Sequence, residues 1–356
     1  MQVAGIIQEQ HPDRARLFMQ WKGMGWPIMI DSLNLLGVSA VPITLLIDEH
    51  GVIQAVQPND EDFQDFLGRS YPTSKASQQE IAELPGDATF LWEDVAQVGE
   101  AIDAYRQALA TERAGSIHFR LGVAYRRRYD STYRRDGDFE RAVEHWGKAL
   151  AIDPNQYIWR RRIQQYGPRL TKPYSFYDWV SEARQELESR GEAPSPLAAE
   201  PGGAEFAYPA ESFPTTDSLG KEPDPRGRIR RDEEGLIRAE TIVVPAVMAA
   251  GESVRVHVVF RPNPGIKAHW NNEADDLVFW VDVPEGWEVD QRYLTVSIPP
   301  EPVSQEVRRV EFELKSPANA SSITMMTPYV LYYVCEDVNG ACLFRRQDLP
   351  LKIRVD

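Results

Sequence analysis

Cysteine is nearly missing from this sequence: 356 residues contain two, Cys335 and Cys342, with six residues between them. So few thiols exclude a disulfide-built scaffold and a cysteine-rich zinc site. Histidine is sparse as well, and the six (11, 50, 118, 145, 257 and 269) show no i,i+4 or other short ligand spacing. A metal site has no support in that pattern. There is no Gly-x-Ser-x-Gly, phosphate loop or dinucleotide fingerprint, so no hydrolase or nucleotide enzyme is indicated and no cofactor is called for. Basic charge is outnumbered, Lys plus Arg being 39 against 54 acids for a net −15. Such a balance repels polyphosphate, which removes nucleic acid and anionic membrane surfaces as general partners. No apolar run nears the roughly 18 residues of a spanning helix, so direct membrane insertion is not expected. The opening MQVAGII turns polar at QEQHPDR, and no signal peptide is expected in this chain.

What is present is ordinary globular composition, 42% hydrophobic and 26% charged, in a length suited to two or three domains. Residues 1–70 alternate strand and helix signals. VAGIIQ (3–8) is a short buried-strand run, and PDRARLFMQWKGMG (12–25) opens a helix with Pro in its first turn. PITLLID and GVIQAV form a hairpin around Asp48 to Gly51, and DEDFQDFL (60–67) closes with acids at a helix N-terminus. Residues 92–190 are helical in period and repeat internally. Ala101, Tyr105, Ala108 and Leu109 recur as Ala142, Trp146, Ala149 and Leu150, forty-one positions later. QYIWRRRIQQYG (156–167) and FYDWVSEARQELESRG (176–191) are expected to cap the helical stack.

Residues 191–235, with seven prolines, read as a partly extended linker anchored by Phe206, Tyr208 and Phe213. From 236 to 356 the period becomes two. LIRAETIVV, SVRVHVVF, LVFWVDV, YLTVSI, VRRVEFELK, YVLYYVC and LPLKIRV are strand-like runs, which implies an antiparallel β-sandwich of immunoglobulin-like proportions. The expected fold class is thus multidomain, with an α/β segment, a helical repeat and a β-sandwich.

Three resemblances accompany these patterns. WPIMIDSLNLLGVSAVPITLLIDEHGVI (26–53), with Gly37-Val38-Ser39-Ala40-Val41-Pro42 and Ile47-Asp48-Glu49-His50-Gly51, resembles the second half of a thioredoxin-like redoxin domain. That resemblance implies a cis-proline at Pro42, and central strands at Val3–Ile7 and Thr44–Ile47 lying side by side. The family's first strand and Cys-x-x-Cys helix have no counterpart, so this segment cannot itself be redox-active; either the reading frame begins upstream of Met1, which is the favoured expectation, or the half-domain persists as a structural remnant. Leu121-Gly122, Tyr125, Ala142, Trp146, Ala149 and Pro154 resemble the tetratricopeptide repeat, with about eight extra residues placed in the turn DSTYRRDGD (130–138).

In the last segment, His269-Trp270-x-Asn272, the turn around Pro284 and Gly286, and a Cys…Gly-x-Cys hairpin resemble the N-terminal periplasmic domain of the thiol:disulfide interchange protein DsbD family. The resemblance implies that Cys335 and Cys342 are a redox pair exchanging electrons with partner thiol proteins, outside the cytosol and in the periplasm. The spacing of the pair departs from that family's pattern by about one residue.

Taken without the resemblance, the pair supports two readings. Facing strands place cysteines within bonding reach, and Asn339-Gly340 supplies turn residues. The result is a structural staple worth about 2.5 kcal/mol for so short a loop or free thiols on the one hand, or an exchanging disulfide on the other. His269 reads as a packed strand residue. The basic runs Arg126–Arg128, Arg134–Arg135 and Arg160–Arg162 read as solvated helix faces or as a groove for an acidic peptide. Two functions follow: a thiol-disulfide relay component, or a non-enzymatic repeat scaffold that binds a partner peptide and carries a structural disulfide.

Overall fold

The computed structural model describes residues 2–72, 84–109, 114–169, 179–197, 200–201, 221–320, 322–336 and 340–356. Among them, eight helices occupy the N-terminal region and antiparallel β-sheets the C-terminal region. No helix of the described residues is long and apolar enough to cross a membrane. The chain divides into two compact units, one of residues 1–162 with 178–200 and one of residues 163–177 with 201–356.

The first unit begins with β1 (Gly5–Ile7), α1 (Asp13–Lys22), β2 (Ile28–Ile30), β3 (Leu45–Ile47), β4 (Ile53–Val56) and α2 (Asp60–Gly68). Pro12 is the N-cap of α1, one residue before the helix proper. Asn59 caps α2: its side chain accepts from Asp62 N at 2.9 Å while Asp62 accepts from Asn59 N at 3.1 Å, satisfying two orphan donors reciprocally. The expected neighbouring of Val3–Ile7 and Thr44–Ile47 is not found. β1 pairs in parallel with β2, Gly5 opposite Ile28, and β3 pairs antiparallel with β4. The reason lies in Ile28-Met29-Ile30, a short apolar run that takes up the hydrogen bonds of β1, with Gly5 N on Pro27 O and Asp31 N on Ile7 O. The Val41–Pro42 bond is cis, as is Val244–Pro245 in the second unit.

Helices α3 (Asp87–Trp92), α4 (Val98–Ala108), α5 (Ala114–Tyr129), α6 (Asp138–Ile152), α7 (Tyr157–Gln164) and α8 (Trp179–Ser189) follow. The repeated residues face inward at matching places: Ala101, Tyr105 and Ala108 on α4, Ala142, Trp146 and Ala149 on α6, all buried. The α5–α6 turn spans 130–137, where the extra residues were expected. It is closed by Asp138, which accepts from Arg128 at 2.6 and 2.9 Å and from Arg135 N at 2.8 Å. α7 packs on α5 through Trp159 and Phe119, ring centroids 5.8 Å apart. α8 instead packs on α1, with Trp179 against Phe18 and Trp21 and Trp21 Nε1 donating to Glu186 at 2.6 Å. The opening α/β segment and the helical segment up to residue 162, with 178–190, lie in one compact unit. Its joint is Arg162, 1% exposed, whose guanidinium donates to Gln10 Oε1 at 2.7 Å and to the Gln8 carbonyl at 3.3 Å.

The second unit contains β5 (Ile237–Val244), β6 (Ser253–Pro262), β7 (His269–Asn271), β8 (Leu277–Trp280), β9 (Glu288–Val289), β10 (Tyr293–Val296), β11 (Val303–Ser304), β12 (Arg308–Lys315), β13 (Ser322–Met326), β14 (Tyr329–Cys335), β15 (Cys342–Asp348) and β16 (Leu351–Val355). One sheet runs β5-β6-β12-β9, and a larger one runs β10-β8-β14-β7-β11 with β15 on the free side of β14. Alternate residues of both sheets, including Val256, Phe260 and Phe312 from one and Trp270, Phe279, Val330, Tyr332 and Val334 from the other, form a single core. β13 and β16 make a separate pair.

Within the segment 191–235, expected as a linker, some of the described residues bond to the unit they lie in. Ser195 donates to Gln20 in the first unit. In the second, Asp224 and Asp232 accept from Arg346 and Tyr332. Phe206, Tyr208 and Phe213 lie outside the described residues.

Candidate functional site: the Cys335–Cys342 hairpin end

β14 is paired along its length with β15, from Tyr329 opposite Asp348 to Cys335 opposite Cys342. On its other side it pairs with β8 through Tyr329 to Leu331 and with β7 through Val334 and Cys335. The next hydrogen bond of the hairpin, Glu336 N to Ala341 O at 3.1 Å, makes Cys335 and Cys342 a non-hydrogen-bonded pair, the position where side chains approach most closely. Their Cα atoms are 4.0 Å apart and the sulfurs are bonded. A Cβ at Gly340 would overlap the Glu336 carbonyl, so the chain returns here only through glycine. Asn339, the other expected turn residue, lies outside the described residues.

Alternation along β14 sends Val330, Tyr332 and Val334 into the core and Leu331, Tyr333 and Cys335 to the opposite face. On that outer face Tyr333 and Phe344 stack with centroids 4.4 Å apart, one step from the disulfide. The two sulfur-bearing residues differ sharply in access: Cys335 is 2% exposed, whereas Cys342 is exposed. Directly opposite Cys335, on β7, stands His269, half-buried. Its distance in sequence from the cysteines hid this neighbour; the usable signal was its place in the same motif as Trp270 and Asn272.

Those two residues hold β7 in place. Trp270 is fully buried, donates from Nε1 to the Glu306 carbonyl at 2.9 Å and carries the Arg308 guanidinium over its ring at 4.3 Å. Asn272 donates to Glu301 O at 2.7 Å and to Ser304 Oγ at 2.8 Å. The outer edge of β15 is covered at Arg346, whose N–H donates to Arg230 O and whose carbonyl accepts from Asp232 N. Under the hairpin, Tyr332 donates to Asp232 at 2.7 Å; burial first, and this carboxylate second, push its phenol well above the usual range. Arg346 is committed to Asp224 and Asp348 and lies over the Tyr329 ring at 3.6 Å.

The basic runs of the first unit divide: Arg126, Arg128 and Arg162 are buried, whereas Arg134, Arg135 and Arg160 are exposed. Arg126 pairs with Asp130 and Arg128 with Asp138, Arg127 donates to the Phe90 carbonyl, and Arg162 is buried as described. Pro42 has no cysteine in its unit to sit beside. Among the described residues no group of three or more His, Cys, Asp or Glu is placed to hold a metal ion.

No family model matches the chain, and no curated protein does. Among solved structures, the sporulation control protein Spo0M of Bacillus subtilis is similar at 16% identity over 34% of this chain and 50% of its own, with a TM-score of 0.17. A cohesin module from a Clostridium perfringens glycoside hydrolase is 10% identical over 34% of this chain and 97% of its own, TM-score 0.21. The bacterial hydrophobin BslA is 13% identical over 34% and 96%, TM-score 0.18.

Proposed function

We propose that this chain is a component of an extracytoplasmic thiol-disulfide relay in which the second unit, an immunoglobulin-like sandwich of the DsbD N-terminal type, exchanges its Cys335–Cys342 disulfide with partner thiol proteins. The first unit then supplies a half-redoxin segment fused to tetratricopeptide-like helices, a non-catalytic part of the assembly that carries partner contacts. The observation that carries this reading is the asymmetry of the pair. One sulfur belongs to an exposed residue beside the turn of a hairpin and the other to a buried one, an arrangement suited to a two-step exchange with an entry sulfur and a leaving sulfur.

A staple is the weaker explanation for the same bond. The seven registered pairs of β14 and β15 already hold the hairpin, and closing so short a loop adds only about 2.5 kcal/mol in the chain-entropy model. The incoming thiolate meets Cys342 Sγ, the bond to Cys335 Sγ breaks, and a mixed disulfide forms at Cys342.

The test pairs a redox titration with trapping. The disulfide is expected to equilibrate with a dithiol in the folded protein at a potential above about −300 mV, below which structural disulfides lie. The Cys335→Ser variant should accumulate mixed disulfides through Cys342, and Cys342→Ser should not. A bond that resists reduction until the domain unfolds makes the pair a staple and leaves the scaffold reading in its place.

A further inference from the structure

His269, Cys335 and Cys342 occupy one row across three adjacent strands, β7, β14 and β15. Opposed residues of antiparallel strands project from the same face with Cβ atoms about 4.5–5.5 Å apart. An imidazole and the buried sulfur are thus neighbours by register. This matters because attack at exposed Cys342 leaves the electron pair on Cys335. A thiolate in an apolar, water-poor position is unfavourable, and Cys335 is 2% exposed. The nearby arginines do not answer the need: Arg346 is engaged by Asp224 and Asp348, and Arg345 stands opposite Tyr332, on the core-facing side of the ladder.

We propose that His269 is the proton donor and acceptor for Cys335 during exchange, an inference that rests on the exchange reading above. In the reducing direction a partner thiolate bonds to Cys342 Sγ and the Sγ–Sγ bond breaks. Its electron pair goes to Cys335 Sγ, and the His269 imidazolium delivers the proton that makes Cys335 a thiol. The partner's second thiolate then attacks the partner sulfur of the mixed disulfide, releasing Cys342, which takes its proton from water. The partner dithiol is oxidised to a disulfide and the cysteine pair is reduced. In the return direction neutral His269 removes the Cys335 proton so that this sulfur can resolve the mixed disulfide.

The surroundings leave the imidazole free for this task. Its Nδ1 lies 3.5 Å from the Lys267 carbonyl, which favours the proton on Nδ1 and leaves Nε2 to gain and lose one. On its flanks β11 presents Val303 and Ser304 opposite Asn271 and Trp270, with Gln305 bonded to the Ala268 carbonyl. The charged neighbours in sequence are Lys267 on its own connection and Glu336, next after Cys335; Arg308 and Glu306 pair with each other on the Trp270 side.

The experiment uses the full chain, oxidised, with dithiothreitol as the partner dithiol, comparing wild type with His269→Gln from about pH 5.5 to 8.5, the range in which imidazoles titrate. His269→Gln is expected to be reduced about a hundredfold more slowly at the acidic end, the low side of general-acid contributions, with the ratio of rates closing toward one at the alkaline end. A ratio that is flat with pH overturns the proposal while leaving exchange intact, since loosened packing gives a constant factor. A wild-type disulfide that dithiothreitol does not reduce in the folded state overturns both this proposal and the reading beneath it.

Discussion

Gly122→Ala and Gly147→Ala are the same chemical change on the two halves of one helical hairpin, and the structure gives them opposite signs. Both glycines lie inside helices, Gly122 in α5 and Gly147 in α6, where alanine is favoured over glycine by about 1 kcal/mol. At Gly147 a Cβ meets nothing within 4 Å, so that gain is realised in full. At Gly122 it would stand 2.8 Å from Trp146 Cε2 and closer still to Cδ1 and Nε1. Carbon atoms in contact sit about 3.5–4.0 Å apart. The Trp146 ring would have to retreat by roughly 1 Å, and it is 0% exposed, leaving no solvent to move into. Overpacking of this kind costs about 1–3 kcal/mol, and a rigid indole against backbone belongs at the upper end.

The net expectation is a loss of about 1–2 kcal/mol for Gly122→Ala and a gain of about 0.5–1 kcal/mol for Gly147→Ala. Urea unfolding followed by the far-UV helical signal reads the first unit, since the helices of the described residues run from 13 to 189. With a slope of about 2 kcal/mol/M the two midpoints should move apart by roughly 1 M. A Gly122→Ala midpoint at or above wild type would show that helix propensity governs the site and refute the close approach of α5 and α6.

Three further outcomes follow from the charged groups of the first unit and from the cysteine pair. Burial, then Arg126, Arg14 and Arg162, hold the His11 imidazole down to about 2 from 6.5, so below pH 6.5 only the unfolded chain takes up that proton. Stability present above 6.5 is lost as pH falls, by up to about 1.4 kcal/mol per pH unit, and urea midpoints of His11→Gln should fall less steeply than wild type between about pH 6.5 and 4.5. Asp138→Ala leaves Arg128 buried without its carboxylate and should cost about 3–5 kcal/mol in the same assay; a loss under about 1 kcal/mol would mean that the pair is solvated. Iodoacetamide added after brief partial reduction should label Cys342 before Cys335, and equal labelling would contradict the difference in their exposure.

The elements that sequence made legible are those whose pattern is local. The Val- and aromatic-rich runs of period two became β5, β6, β8, β10, β12, β14 and β16 because each alternates core and outer-face residues within its own length. The Ala101/Tyr105/Ala108 and Ala142/Trp146/Ala149 correspondence was legible because small and large residues on two helices must interlock, which leaves a matched spacing. The Cys335–Cys342 pairing was legible because a hairpin brings close what is already close. His269 was not, because register across strands separated by more than sixty residues leaves no periodic trace. The α1–α8 contact escaped for the same reason: nothing near Trp21 announces Glu186.

A different kind of illegibility arose where a covering segment reverses the meaning of polarity. On β6, Arg255 and His257 alternate with Val254, Val256 and Val258, which by periodicity makes them a solvent face. Both are buried. Residues that follow α7 within the second unit lie against them: the Tyr166 carbonyl meets His257 Nε2 at 2.7 Å, and Arg169 N donates to Glu313 at 2.8 Å. Arg255 spans Glu311 and Glu313 at 2.7 and 2.8 Å, and His257 Nδ1 lies 3.1 Å from Glu311. Burial alone raises the Glu311 carboxyl, but the His257 and Arg255 partners outweigh it and hold the group well below the usual range. Charges can be covered here because they are paired with one another. An alternating strand therefore identifies which residues share a face, while the partners of its polar residues decide whether that face meets water or chain.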